Sequence, residues 1–465
     1  MKPSSTQTFH YTRRSFFGAA STVFSFNFFP SRVFGANQRL QVAGIGVGGK
    51  GKGDFDGLAR HGNVVAACDI DARRLELAVR KYPKAQKFSD YRQMLSELGS
   101  KIDAITVCTA DHTHAPATMM AMEQGIHVYV QKPLTHTVWE ARQLAVMARK
   151  RNICTQMGNQ GTASDGIREG AEYLQAGGIG SVQEIHAWTN RPVWPQAPQV
   201  TKRPSEKMVP PSYLDWNSFV GPAPERPYHS CYTPFKWRGW RDYGTGALGD
   251  MACHTTNLAF MGCGLTQPTM VKSVNTGPAN EETFSSWGTV YMDFPKTESR
   301  GSIKFCWYEG KVGNNGGDNQ GIKNLPPLDF FYGQKPKSSG LLLLGTDGVM
   351  YSPNDYGADW LVYKKGKWYT KNEVEKPRPS LPRNGRGDDG MKEELVLAIR
   401  QNNPKLAMSN FDYSGNMTEA ILLGNIAMLV GGKFTWDAKN LITNRAEANK
   451  LISKVYRKGW EVTPA

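Results

Sequence analysis

The chain has 465 residues, 40% of them apolar, with 12 Trp, 18 Tyr and 20 Phe; that is too apolar for a disordered chain and about three times the length of a usual domain. Its 48 Gly and 27 Pro follow no collagen-like period, and no run of about 18 apolar residues goes uninterrupted, so a fibre and a membrane span are excluded and a soluble, loop-rich protein of two or more domains remains. The 56 Lys and Arg against 41 Asp and Glu leave a formal charge of +15, which admits a nucleic-acid partner as a rival to any enzymatic reading.

Met1 to Ala36 holds Lys2, Arg13, Arg14 and Arg32 and no acid. Arg13-Arg14-Ser15-Phe16-Phe17 leads into a short apolar stretch broken by Ser and Asn, and Gly35-Ala36 follows. This is the layout of a twin-arginine export signal. Residues 1–36 are therefore expected to be a signal peptide, and the protein to be exported folded to the periplasm with its cofactor already captured. Cys68, Cys108, Cys154, Cys231, Cys253, Cys263 and Cys306 show no CxxC spacing, so no metal site is expected.

Leu40-Gln41-Val42-Ala43-Gly44-Ile45 reads as a strand running into Gly46-x-Gly48-x-x-Gly51. A helical stretch follows, then a second strand, Val64 to Cys68, that ends on Asp69. One Gly makes the tight turn, the next lets the backbone approach a pyrophosphate, and the third lets helix pack on strand. A second register, with Gly44 first, is open in the same loop. Asp69 is placed to accept from the adenosine ribose hydroxyls and to repel a 2′-phosphate, which favours NAD over NADP; Lys50 and Arg73 weigh the other way.

Helices are expected over Arg73–Tyr82, Tyr91–Leu98 and Pro116–Gln124, with buried strands at Ala104–Thr109 and His127–Val130. This alternation predicts a doubly wound parallel sheet, whose ligands bind at the carboxyl ends of the strands. Thr109, Asp111, His112, His114, Gln131 and Lys132 fall at such ends. The expected cofactor contacts are Gly46, Gly48, Gly51, Asp69, Thr109, His112, His114, Gln131 and Lys132; capping of a helix is the competing role for the two histidines.

The glycine loop with Asp69, the strand end from Thr109 to His114, and Gln131-Lys132-Pro133-Leu134 together resemble the Gfo/Idh/MocA family, that of glucose-fructose oxidoreductase and inositol dehydrogenase. In that family the tripeptide is usually Glu-Lys-Pro, so Gln131 is a departure while Lys132 is retained. The resemblance implies that Lys132 reaches the substrate beside the nicotinamide. Asn152 to Gln160 resembles the family's crossing into the second domain and adds Gln160 to the cofactor set. The implied fold is an α/β N-terminal Rossmann domain (37–160) and a C-terminal α+β domain (161–465) with a large open, mostly antiparallel sheet, whose first strand is Gly180 to Trp188.

A Pro- and Trp-rich loop, Arg191 to Pro211, is expected to form a binding wall or a subunit arm. Further on, Tyr243-Gly244-Thr245-Gly246-Ala247-Leu248-Gly249-Asp250-Met251-Ala252-Cys253-His254 puts Asp250 and His254 four residues apart, on one face of a helix. Oxidising a secondary alcohol needs a group to take the hydroxyl proton, and His or Lys serves; a nearby carboxylate orients substrate or tunes that group. The resemblance implies that this pair faces the tripeptide lysine. Lys132, Asp250 and His254 are the expected catalytic residues. Many family members carry an Asp where this chain has Asn257. Phe235-Lys236-Trp237-Arg238-Gly239-Trp240-Arg241 supplies rings and guanidinium groups that stack on and fork to sugars, and Arg238, Trp240 and Tyr243 are the expected substrate contacts.

Gly310 to Pro327 and the basic, proline-broken stretch Lys364 to Arg386 read as loops, the latter as a solvated one. Gly340 to Val349 reads as strand and turn, and Met391–Arg400 and Asn416–Val430 as helices. The expected activity is NAD-dependent hydride transfer with a sugar, glycoside or cyclitol. The alternative is a glycosidase that uses tightly bound NAD in an oxidation and elimination cycle, as glycoside hydrolase family 109 does. A small-molecule carbohydrate partner, no nucleic acid and a homodimer or homotetramer complete the expectation.

Overall fold

A computed structural model describes residues 39–192, 201–278, 280–313 and 321–465. The expected signal, 1–36, and part of the Arg191 to Pro211 loop lie outside the described residues. The first sheet is built from β1 (Leu40–Ile45), β2 (Gly62–Cys68), β3 (Gln86–Phe88), β4 (Ala104–Val107), β5 (His127–Val130) and β6 (Thr155–Met157). Their order is β3-β2-β1-β4-β5-β6, every neighbouring pair parallel. All of β4 and the last three residues of β5 are buried, as a parallel sheet covered on both faces requires. The order reverses between β1 and β4, and that crevice is where such sheets take ligands.

Between the strands run α1 (Lys50–Ala59), α2 (Ala72–Lys81), α3 (Tyr91–Leu98), α4 (Asp111–Glu123) and α5 (Val138–Arg151). α4 corrects the expectation: it starts at Asp111, so the residues from Asp111 to His114 are its first turn and not a strand end. Pro116 conceals that start in the sequence, since it has no N–H for the carbonyl of His112 four residues back. The structure satisfies that carbonyl from far away, with Lys454 Nζ donating at 3.0 Å.

The remainder contains α6 (Asp165–Gln175), β7 (Val182–Thr189), α7 (Trp216–Val220), α8 (Gly246–Thr255), α9 (Asn257–Cys263), β8 (Met270–Val274), β9 (Trp287–Phe294), β10 (Ile303–Val312) and β11 (Ile322–Lys323). After them come β12 (Gly340–Gly345), β13 (Val349–Ser352), β14 (Leu361–Lys364), β15 (Lys367–Thr370), α10 (Gly387–Arg400), α11 (Phe411–Val430), β16 (Gly432–Asp437), β17 (Ile442–Thr443) and α12 (Ala446–Asn449). Their strands form an 11-stranded sheet in the order β15-β14-β13-β12-β7-β10-β9-β8-β16-β17, with β11 on the end of β10. Only β7 and β10 pair in parallel; the other pairs are antiparallel. The stretch from Lys364 to Arg386 is thus not all loop. Lys367–Thr370 pairs with β14 as an edge strand; Lys-Trp-Tyr-Thr is only four residues long and lacks a period-2 alternation, so no strand pattern marks it in the sequence.

α11 is apolar on nearly every side and is correspondingly buried. It packs against α5, α8 and β8, and so joins the nucleotide sheet, the helix that carries Asp250, and the large sheet in one core. Among the described residues no helix is long and apolar enough to cross a membrane. The seven cysteines are free thiols.

Candidate active site

Gly46 makes the turn after β1 with φ +76°, and a Cβ there would stand 2.4 Å from the carbonyl oxygen of Cys108. A Cβ on Gly51 would lie 1.9 Å from the oxygen of Gly46, so only glycine lets α1 pack this close to β1. Gly44, by contrast, sits inside β1 against Phe55, which settles the register in favour of Gly46. Gly49, at φ +56° and ψ −127°, caps α1 without any side-chain hydrogen bond to the helix. The Lys52 N–H turns back to the Gly49 carbonyl at 3.3 Å, and the amides before it, at the start of α1, face a ligand with the positive end of the helix dipole behind them.

These glycines form one wall of a cavity of about 350 Å³ that also takes in Asp69, Thr109, Gln131, Lys132, Gln160 and Asp250. Asp69 is 5% exposed and braces the loop, accepting from the backbone N–H of Gly48 at 3.1 Å and of Asp71 at 2.9 Å. Burial raises its carboxyl above the usual range. Arg73 turns away, forking onto Asp71 and stacking over Tyr213 at 3.4 Å. The arginine on the cavity wall is its neighbour, Arg74, which single-residue reasoning missed because Arg73 and Arg74 are equivalent on paper.

Lys132 leaves the end of β5 and meets Asp250 on α8, with Nζ donating to Oδ1 at 2.5 Å and to the Asp250 carbonyl oxygen at 2.9 Å. Both side chains are mostly buried. Burial works against the Lys132 charge, but Asp250 outweighs it and holds the ammonium above the ordinary lysine value. Burial likewise works against the Asp250 carboxylate; Lys132 and Arg238 overcome it and hold that group far below the usual carboxylate range. The pair is therefore ionic.

His254 lies one turn beyond Asp250, 3% exposed, with its ring edge-on to Tyr356 at 5.2 Å. It is not on the wall of the cavity that holds Lys132 and Asp250. Its Nδ1 has no hydrogen-bond partner among the described residues, and burial and Lys132 push its pKa down to about 3, so the imidazole is neutral. Asn257, where the resemblance implied a different network, is buried among Thr162 and Tyr413: it donates to Thr162 Oγ1 at 2.8 Å and accepts from the Tyr413 hydroxyl at 2.6 Å.

Several expected contacts need correction. The two nitrogens of His112 face the carbonyls of Tyr243 and Phe219 at 3.2 and 2.9 Å, and those of His114 face Pro133 and Thr109 at 2.8 and 3.2 Å. The rings are thus engaged with backbone, and burial lowers their pKa values to about 3 and about 4. His112 contributes an edge to the cavity wall; His114 braces the loop that carries Lys132. Trp240 and Tyr243 are fully buried in an aromatic cluster with Tyr232 and Phe219, and Trp240 Nε1 donates to the Cys231 carbonyl at 3.0 Å. They support the site from behind. From this segment it is Phe235 and Trp237 that reach the wall, with Arg238 stacked 4.3 Å above Trp237.

Asp111 was legible only as one of several strand-end residues. The structure puts it on the cavity wall, 5% exposed, accepting from the hydroxyl of Thr245, the cap of α8, at 2.6 Å. Burial pushes its carboxyl up to about 7 against the pull of Thr245 and Arg238. The cavity therefore holds two carboxyls in opposite states, Asp250 ionised and Asp111 protonated up to about neutral pH. Two acids pushed apart in this way are a mark of a site that moves protons.

Residues 39–159 match the profile of the NAD-binding Rossmann fold of an oxidoreductase family, and residues 188–298 match that family's C-terminal alpha/beta domain. D-glucoside 3-dehydrogenase of Escherichia coli (strain K12) is 36% identical over 87 residues, 19% of this chain and 24% of that protein. A glycosyl hydrolase family 109 protein of Shewanella pealeana is 30% identical over 134 residues, 26% of this chain and 28% of that one. The chain spans between about a quarter and a half of the length of the curated relatives it matches. In fold it is similar to the WlbA dehydrogenase from Bordetella pertussis, solved with NADH and UDP-GlcNAcA, with a TM-score of 0.58 at 14% identity over 86% of this chain and 99% of that one.

Proposed function

The chain belongs to the Gfo/Idh/MocA oxidoreductase family, and from that premise we propose that it is an NAD-dependent dehydrogenase acting on a secondary alcohol of a sugar, glycoside or cyclitol. The observation that carries this reading is the Lys132–Asp250 ion pair, which shares one cavity with the Gly46-Gly48-Gly51 cradle. NAD fits that cradle: Gly46, Gly48, Gly49 and Gly51 line the cavity with bare backbone, the start of α1 offers its amides and the positive end of its dipole to phosphate, and Asp69 disfavours a 2′-phosphate. When bound, NAD supplies the carbon that accepts or returns hydride.

The Lys132 ammonium holds the substrate oxygen and stabilises negative charge that grows on it as the C–H bond breaks. The hydroxyl proton passes by way of an intervening water to the neutral His254, which lies behind the cavity wall and whose Nδ1 has no partner among the described residues. Asp250 keeps Lys132 charged and aimed, and Arg238 over Trp237 offers a face and a fork to a sugar ring. Mass spectrometry of cofactor released from the purified protein, followed by incubation with a panel of glycosides and their keto forms, tests the proposal. NAD with hydride exchange supports it; full turnover by both Lys132→Ala and His254→Ala variants overturns the assignment of roles.

The likeness to a glycosyl hydrolase family 109 protein and the protonated Asp111 on the cavity wall favour one second reading. In it, transient oxidation labilises a glycosidic bond and Asp111 protonates the departing oxygen, with no net redox change. Glycoside cleavage without added NAD distinguishes it from dehydrogenation.

Arg13-Arg14 before Phe16-Phe17 supports folded export to the periplasm, and continued export of an Arg13→Lys/Arg14→Lys variant would overturn that part. Assembly into a dimer or tetramer belongs to the same proposal, and light scattering decides it.

A further inference from the structure

Beneath the glycine turn, charged side chains from widely separated parts of the chain share one buried cluster. Asp54 on α1 is fully buried. It accepts from Lys392 Nζ at 2.7 Å, from Lys50 Nζ at 2.8 Å and from Gln131 Nε2 at 2.7 Å. Lys392 comes from α10 and is 1% exposed; it also reaches Asp388 Oδ1 at 3.1 Å, while Asp388 Oδ2 takes Lys50 at 2.6 Å. Its stem lies along Gly57 at 3.5 Å from where a Cβ would stand. A carboxylate this deep is tolerated only with counter-charges and hydrogen bonds on both oxygens, and Asp54 has both.

Gln131 carries this arrangement to the cavity. Its amide nitrogen donates to Asp54, and its amide oxygen accepts the backbone N–H of Lys132 at 3.3 Å. An amide is the group these two neighbours call for, a donor toward a carboxylate and an acceptor toward an N–H. A carboxylate in its place would set a second negative charge against Asp54. Lys50, on the cavity wall beside the glycines, shares the same carboxylate, so the phosphate end and the lysine end of the cavity are joined through Lys50, Asp54, Gln131 and Lys132.

We infer that Asp54, held in place by Lys392, is a positioning residue that aims Lys132 through the Gln131 amide. The inference rests on Lys132 being the working group of the site. Its test is a reciprocal swap: Asp54→Asn, Gln131→Glu, and the two together, which exchange amide and carboxylate across the same bond. Turnover of a responsive sugar, normalised to bound NADH so that misfolded protein does not count, falls about 100-fold in each single variant, and the double variant recovers at least about tenfold. An unchanged Gln131→Glu, or a double variant no better than the worse single one, overturns the inference. Should Gln131→Glu fail to fold, Gln131→Met removes both hydrogen bonds at similar size, and undiminished turnover per bound NADH overturns it equally. If the unaltered protein turns over no sugar, the proposed function fails and not the inference. Acylation of Lys132 by an amine-directed reagent, read by peptide mass spectrometry on NADH-loaded protein, then decides: it is expected to speed up in each single variant and slow again in the double, and equal rates in all four proteins overturn the inference.

Discussion

Lys132 Nζ and Asp250 Oδ1 are 2.5 Å apart although 118 residues separate them in the chain, and their contact pins the end of β5 to the middle of α8. Each group keeps the other ionised in a mostly buried place. Removing one partner leaves the other as an uncompensated charge, which is costlier than the pair is stabilising.

Asp250→Asn is accordingly expected to lower turnover about 100-fold or more and to let burial draw the Lys132 pKa downward. A Lys132→Met variant loses turnover as well but does not acquire a new alkaline dependence. Steady-state kinetics across pH for both variants checks this.

Asp111, with a pKa of about 7 against an ordinary 3.8, faces Thr245, Arg238, Asp250 and Lys132. Below that value it is neutral, and above it a second anion competes for Lys132 and Arg238. kcat/KM is expected to fall above about pH 7 and to lose that fall in Asp111→Asn. Stability carries the same sign: the raised acid favours the folded state at low pH, and that advantage is lost as pH rises through the folded value. Asp111→Asn therefore gains on the unaltered protein by up to about 1.4 kcal/mol per pH unit over that interval, measurable by denaturant titration at several pH values.

Gly51→Ala brings a methyl to 1.9 Å from the Gly46 oxygen, so it lowers the melting temperature and weakens NADH binding by about tenfold or more. Two residues on, Gly53 is exposed and has nothing within 4 Å of a Cβ. Gly53→Ala is expected to stabilise α1 by about 0.5–1 kcal/mol with NADH affinity unchanged. Thermal melts and NADH fluorescence titrations compare the two.

The adenosine end sets Asp69 against Arg74. NADH is expected to bind about tenfold or more tightly than NADPH. Asp69→Ser narrows that ratio by admitting a 2′-phosphate, and Arg74→Ala widens it. Affinities for both cofactors in the three proteins test the balance; Arg73→Ala, whose guanidinium is spent on Asp71 and Tyr213, leaves the ratio unchanged.

The sequence by itself determined the architecture of the nucleotide half: the glycine turn, Asp69 at the end of β2, and strands alternating with helices are local patterns, written in neighbouring residues. Lys132 and Asp250 stood out through the resemblance to the family's tripeptide and its Asp-x-x-x-His pair, since spacing alone leaves Asp250 an ordinary carboxylate on a helix face. What it left open is what long-range packing decides. His112 and His114 look like ligands until the carbonyls of Tyr243, Phe219, Pro133 and Thr109 close around them. Trp240 and Trp237 are three residues apart and alike in type, and only the chain's path buries the first and turns the second to the cavity. The raised pKa of Asp111 comes from burial, and the partners of Asp111 and Asp54, Thr245 and Lys392, lie far along the chain. A charge is tuned by everything that surrounds it in space, and tertiary structure alone says what that is.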